Sequence, residues 1–428
     1  MPSLDELSVS KSQPHIYALI NYEDPYVQPL ILEALKTCLP PNSYTLISTM
    51  NELPTPTSLF LQIGAYESLP FEHIMSQPNK SLINAYIIRK ALIRKHYLST
   101  TAYNWIAKNP TSILITNTKS SCDFELDYAE FLDEALVEAW ELKASFQNND
   151  GKDPEEREWW ILKPGMSDRG QGIRLFSTEG ELQSIFEEWE AGGSDSDDED
   201  NSESETENSG AKQQERDDYI VTSHLRHFVA QPYIDPPLLL SSNPRKFHIR
   251  TYVLASGSLK IHVYRPMLAL FASDPYIPPY SSTANLSAHL TNTCLQPTIL
   301  DGSVQAFWSL PLPSSQLESI FSQICETTGE IFEAAAKGMM VHFQTLPNAF
   351  EVFGLDFLVD EAGTAWLLEV NAFPDFRQTG EELRGLVEGL WEGVMEEVIG
   401  KFFGVDTVGN DRKGKEMVMV RNLDLGRR

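Results

Sequence analysis

Apolar and polar positions alternate along the chain in a way that separates short strands from amphipathic helices. Near the start, IYALI and SLFLQIG read as strands, and LILEALK between them has helical spacing. INAYIIRKALIRKHYL is helical in period, ILIT from Ile113 reads as a strand, and DEALVEAWELKASF reads as one amphipathic helix. WWILKP is a strand ended by Pro164, and IRLF is another. The loop PGMSDRGQG joins them in a hairpin-like pair. FVAQPYI, KFHIRTYVLA and LKIHVYRPMLALFA read as strands, and SSQLESIFSQICETTGEIFEAAAKGMMVHF is mainly helical. FEVFGLDFLVDEAGTAWLLEVN reads as a hairpin turning at Asp360 to Gly363. Thr379 and Glu382 have capping-box spacing ahead of a helix with Leu383, Val387, Leu390, Val394 and Val398 on one side. From Gly404 the chain reads as a frayed tail. The fold class is α/β (α+β), opening with a small α/β N-terminal domain over residues 1–95.

One stretch breaks the pattern. Residues 194–218, SDSDDEDNSESETENSGAKQQERDD, have no apolar face and read as a disordered acidic loop inserted into a folded domain. With eleven acids against two bases it carries part of the formal net charge of -28, and the remainder is still about -19. That balance excludes a non-specific nucleic-acid binder, because phosphate contacts need a basic surface. No apolar run is long enough to cross a bilayer, and MPSLDELSVS lacks a signal-peptide pattern. Cys38, Cys122, Cys294 and Cys325 lie far apart without metal-ligand spacing, which suits reduced thiols in the cytoplasm.

The candidate chemistry sits on strands. In WLLEVNAFP, Glu369 and Asn371 share one face, opposite Leu368 and Val370. The hairpin brings Asp356 close to them. Three hard oxygen donors suit magnesium bridging a nucleotide's phosphates, and a half-exposed, solvated strand face is the other reading. Lys163 ends a strand just before a glycine-bearing loop that suits phosphate approach. Lys246, His248 and Arg250 alternate onto one face of KFHIRTYVL, where a solvated outer face is again the alternative. HLTNTCLQ, from His289, is a compact polar cluster.

Taken in order, WWILKPGMSDRGQGI, FVAQPYIDPPLLL, RKFHIRTYVL, HLTNTCLQ and FEVFGLDFLVD…WLLEVNAFP resemble the tubulin-tyrosine ligase family, a branch of the ATP-grasp ligases. The resemblance covers roughly residues 80–400 and is nearest to fungal members, including the ligase-like part of the yeast P-body-associated protein. It implies an ATP-grasp fold with a central subdomain over 96–230, a C-terminal subdomain over 231–403 and a flexible tail over 404–428. It implies ATP and Mg2+ as cofactors and an amide-forming reaction through an acyl phosphate. Tyrosine or glutamate would be added to a protein carboxylate such as a tubulin tail. By motif position, Asp356, Glu369 and Asn371 match the family's magnesium ligands. Lys163 and Lys246 match its nucleotide-contacting lysines, and Lys95 a further lysine reaching the nucleotide. Gln231 and the backbone from Pro232 through Tyr233 to Ile234 match the adenine hinge, and Thr291 and Asn292 the ribose-and-phosphate segment. Arg250 matches an arginine near acceptor and phosphates, so Arg250 and Lys246 are the catalytic candidates.

Two positions depart from the family. His248 stands where an aspartate is usual, among the nucleotide contacts. Leu270 stands where an arginine is usual, and Arg265, close in sequence, faces elsewhere. Two functions remain open. One is the ligase. The other is a catalytically weak ATP-grasp module that binds mRNA-decapping factors in P-bodies.

Overall fold

Backbone pairing sorts the strands into three sheets. The structure, a computed structural model, describes residues 14–165, 171–194, 227–283, 285–291, 302–408 and 416–425. The acidic segment expected as a loop over 194–218 therefore lies outside the described residues except for its first position, as does the middle of the glycine loop after Pro164.

The first sheet is parallel and runs β2 (Tyr44–Leu46), β1 (Ile16–Asn21), β3 (Leu59–Gly64), β4 (Ser81–Ile83). Helix Val27–Cys38 follows β1, as its spacing requires, and buries Leu30, Ile31, Ala34 and Leu35. A smaller antiparallel sheet is formed by β5 (Cys122–Glu125), β8 (His227–Pro232), β6 (Trp160–Pro164) and β7 (Arg174–Phe176). It has its own core of Leu162, Phe176, Phe186, Trp189 and Phe228.

The third sheet has seven strands built around β9 (Arg245–Ser256). Along one edge of β9 runs β13 (Phe350–Val359), which also pairs with β14 (Ala365–Ala372). The other edge is shared by β10 (Lys260–Tyr264) and β11 (Leu268–Pro275), and β12 (Val304–Ala306) continues outward from β11. Every residue of β13 is buried. Helix Ser314–Gly338 covers one face of this sheet through Ile320, Ile324, Ile331 and Phe332. Helix Arg384–Val394 covers the other, with Val387, Leu390, Trp391 and Val394 in the core.

Several expectations need correction. ILIT is not a strand: Leu114–Asn117 is a helical turn. Its β-branched residues favour a strand, but Glu330 accepts the Ile113 N–H at 3.2 Å, and Asn117 donates to Gln323 at 3.0 Å and to the Ala365 carbonyl at 2.8 Å. The start of INAYIIRKALIRKHYL is extended, with helices only at Lys90–Ile93 and Lys95–Ile106. Asn84 holds it there by bonding both backbone groups of Gly64, at 3.0 and 3.1 Å. DEALVEAWELKASF breaks into Leu132–Ala135 and Trp140–Asn149, leaving Val137 and Trp140 exposed. The Thr379 capping box does not form. Thr379 ends a short 3-10 turn, while Asp375 caps that turn by accepting from the Arg377 N–H. The frayed tail is also wrong in part, because β15 (Met417–Asn422) adds to the edge of β10. An alternating MVMVRN is too short to announce a strand, and only the unpaired edge of β10 makes it one.

A chain ending at Val408 should therefore lose ~2 kcal/mol or more of stability, from strand hydrogen bonds and the buried Met417 side chain. Chemical denaturation measures this, and an unchanged midpoint would show that β15 contributes nothing.

Candidate functional site

The register of the large sheet stacks polar side chains inside an apolar ladder. Across β9 and β13, His248 pairs with Leu358 and Arg250 with Asp356. Across β13 and β14, Asp356 pairs with Glu369 and Gly354 with Asn371. Lys246, His248 and Arg250 do share a face, and all three are buried, so this is no solvated outer surface. A bulge between Asp356 and Phe357 offsets β14. As a result Leu368 and Glu369 line the same cavity, contrary to the strict alternation expected from the sequence.

At the centre, Arg250 donates to Asp356 twice, Nε to Oδ1 at 2.5 Å and Nη2 to Oδ2 at 3.0 Å. Asn371 Nδ2 donates to Glu369 Oε1 at 3.1 Å and lies 3.4 Å from Asp356 Oδ2. The two carboxyl groups also share a hydrogen bond. Burial pushes Asp356 up to about 7 in spite of Arg250. Burial also works to raise Glu369, but Lys95, the hydrogen bonds from Asp356 and Asn371, and Lys163 outweigh it and hold the group at about 2. Gly354 makes room beside Asp356: a Cβ there would lie 2.8 Å from Pro374 Cβ and 3.3 Å from Arg250 Cδ.

This face opens on a cavity between the two antiparallel sheets. Lys163 from β6 donates to Gln231 Oε1 at 2.9 Å, and Gln231 donates in turn to Ser121 Oγ at 3.2 Å. Lys246 Nζ lies 2.9 Å from Tyr233 Oη and 4.1 Å from that ring's centroid. Burial, then mutual repulsion with Lys163, lowers Lys246 to about 7. Burial lowers Lys163 to about 8. Ile161, Ile173, Ile234, Leu290 and Leu358 supply an apolar lining.

The departures are now placed. His248 Nδ1 lies 2.6 Å from Thr291 Oγ1, and its Nε2 lies 3.5 Å from Asp356. Burial, then Arg250, drives it down to about 3, so the ring is neutral. Leu270 pairs with His248 across β11 and β9 and is completely buried in the apolar core. Arg265 faces elsewhere, as expected. It pairs with Glu318 at 2.5 Å and lies over Trp308 at 4.1 Å.

The cavity thus gathers Lys163, Gln231, Tyr233, Ile234, Lys246, His248, Thr291, Asp356 and Glu369. Lys95 borders an adjoining pocket that also contains Lys163 and Gln231. Arg250 and Asn371 border the cleft on the other side of Glu369. Asn292 lies outside the described residues. Sequence reasoning missed Ser121, His289 and Arg89. His289 Nδ1 lies 2.9 Å from Tyr233 Oη, within the HLTNTCLQ cluster that the sequence did single out. For Arg89 no sequence signal existed, since its partner Glu351 is far along the chain.

A buried and a half-buried carboxylate, an amide and two lysines gather between the two antiparallel sheets of an ATP-grasp fold. Comparison with known structures agrees. The C-terminal domain of Pby1 from K. lactis, described as an ATP-grasp enzyme interacting with the mRNA decapping enzyme Dcp2, is 35% identical, with a TM-score of 0.70 over 96% of this chain and 99% of that one. The chain belongs to the tubulin-tyrosine ligase family, whose sequence pattern matches residues 91–403. A probable tubulin–tyrosine ligase of Schizosaccharomyces pombe is 41% identical over 97% of this chain and 99% of its own length. The probable tubulin–tyrosine ligase PBY1 of Saccharomyces cerevisiae is 43% identical over 79% of this chain, which spans 46% of that protein. Fold and family are those of ATP-dependent ligases.

Gly354→Ala tests the packing of the site. Overpacking should cost about 1–3 kcal/mol in chemical denaturation and displace Arg250 or Pro374. An unchanged stability would mean that the two side chains yield without cost.

Proposed function

We propose that this protein is an ATP- and magnesium-dependent ligase that joins an amino acid, tyrosine or glutamate, to a protein carboxylate through an acyl phosphate. The observation that carries this is the register that sets Asp356, Glu369 and Asn371 side by side, with Asp356 and Glu369 on a cavity that Lys163 and Lys246 also line. The donor set fits magnesium, which takes hard oxygens from one or two carboxylates and leaves the rest of its shell to phosphates. Asn371 presents its amide nitrogen here, and rotating the amide presents its oxygen instead. When bound, the cation neutralises phosphate charge and orients the transferring phosphoryl group.

The chain's own residues do the rest. Ile161, Ile234 and Leu358 exclude water around a base, with Gln231, Tyr233 and the backbone to Ile234 as the adenine hinge. His248 and Thr291 take the ribose side. Lys163, Lys246 and Lys95 face the phosphates, and Arg250, locked on Asp356, stabilises charge at the acceptor end. Catalysis of this kind is mostly positioning and electrostatics. A tubulin tail is one acceptor to test, as the polyglutamylase relatives suggest.

A second reading is supported by the K. lactis relative, which interacts with a decapping enzyme. In it, this protein works in the cytoplasm, in P-bodies, as a partner of decapping factors. Among the described residues no helix is long and apolar enough to cross a membrane. ATP-dependent incorporation of labelled tyrosine or glutamate, beside a pull-down with the decapping enzyme, separates the readings. Binding without incorporation would favour the partner role.

Two measurements test the site directly. Glu369→Ala should abolish the magnesium-dependent part of ATP binding by calorimetry, and unchanged magnesium dependence would place the metal elsewhere. Binding should also take up protons at pH 8 but not at pH 6. In the free cavity Lys246 titrates at about 7 and Lys163 at about 8, so both are largely charged at pH 6. At pH 8 bound phosphates would raise both and draw protons in. Binding heats that do not vary between buffers of different ionisation enthalpy at pH 8 would contradict this.

A further inference from the structure

Beside the cavity, one tyrosine hydroxyl is shared between a lysine of the large sheet and a histidine of the loop after β11. Tyr233 stands just past the end of β8. Its N–H donates to the Trp159 carbonyl at 2.8 Å, and its ring packs with Trp159 and Leu175. Lys246, on β9, brings Nζ to 2.9 Å from Tyr233 Oη. His289, just after the short turn Leu286–Ala288, brings Nδ1 to 2.9 Å from the same oxygen. All three side chains are buried.

The far end of this chain fixes where its protons lie. His289 Nε2 is 3.3 Å from the Ser282 carbonyl, which can only accept, so Nε2 carries the hydrogen of the ring. Burial, then Lys246, lowers the imidazole to about 4, so at neutral pH it is uncharged and Nδ1 is an acceptor. The Tyr233 O–H therefore donates to Nδ1. Its oxygen is left to accept, and Lys246 is the donor. Without His289 the hydroxyl could turn its proton onto the lone pair of an uncharged Lys246 amine. With His289 in place that arrangement is closed, and the ammonium is the donor that fits best.

The surroundings give this contact weight. Burial and the Lys163 charge both disfavour a charge on Lys246, and Asp235, which accepts from Tyr276, favours it. His248, two residues along β9, is neutral. The Tyr276 ring meets His289 edge-on at 6.1 Å and closes the outer side of the histidine.

We propose that His289 is a positioning residue: by taking the Tyr233 proton it fixes that hydroxyl as an acceptor, and so holds the Lys246 ammonium toward the nucleotide's phosphates. The inference rests on the nucleotide site of the ligase reading above and adds a residue that acts through Tyr233. It gives the first position of HLTNTCLQ a task separate from that of Thr291.

The test titrates the full chain with a non-hydrolysable ATP analogue and magnesium by calorimetry, at pH 6, 7 and 8, in paired buffers of different ionisation enthalpy. His289→Leu removes the acceptor, and Tyr233→Phe removes the hydroxyl while keeping the ring. Each should weaken the analogue about tenfold or more at pH 7, the scale of one hydrogen bond to a charged group. Each should also take up protons on binding already at pH 6, where the unsubstituted chain does not. His289→Asn, whose amide oxygen can stand in for Nδ1, should return both readings toward those of the unsubstituted chain. An equal loss of affinity at all three pH values with unchanged proton uptake would reduce His289 to packing and overturn the inference. Unaltered binding by both variants, or an asparagine no better than leucine, would overturn it as well. If His289→Leu does not fold, Tyr233→Phe decides by the same readings. Failure of the analogue to bind the unsubstituted chain would instead overturn the nucleotide site beneath the inference.

Discussion

The ion pair between Arg250 and Asp356 is the constraint on which the site depends. It bridges β9 and β13, the two longest strands of the large sheet, where nearly every neighbour is apolar. A buried pair of this kind is a poor source of stability, because desolvating both charges offsets most of their attraction. Losing either partner, however, would strand the other in the core. The pair therefore fixes the relative register of the strands and holds one carboxylate beside Glu369. Gly354 and the bulge at Leu368 are local adjustments to it, one clearing space for the arginine and the other bringing Leu368 onto the cavity face beside Glu369.

The electrostatics of the cavity follow from burial. Lys163 and Lys246 are held close together in low dielectric, which makes their charged forms costly until an anion arrives. His248 is held neutral for the same reason, so the ring brings no charge to the cavity. The formal net charge of -28 says nothing of this, since the cations are few and local. The strand carrying Glu369 divides the molecule electrostatically. On one side lysines face the cavity between the antiparallel sheets, and on the other acids, arginines and rings line an open cleft.

By itself the sequence determined the hairpin of β13 and β14, the polar face of β9, the strand ending at Lys163 and the long helix over Ser314–Gly338. In each case the period of apolar residues, or a charge inside an apolar run, is a local signal. The candidate nucleotide residues were legible for the same reason: their motifs are short and ordered along the chain. Tertiary structure decided the rest. ILIT became a helical turn because Glu330, more than two hundred residues away, caps it. Met417–Asn422 became a strand because β10 had an edge to fill. Leu368 joined Glu369 on one face because pairing with β13 leaves it as the extra residue of a bulge in β14. Arg89 reached the cleft because Glu351 and Tyr66 hold it there. These are contacts between residues distant in sequence, and no local period encodes which distant group arrives to satisfy a buried charge or an open strand edge.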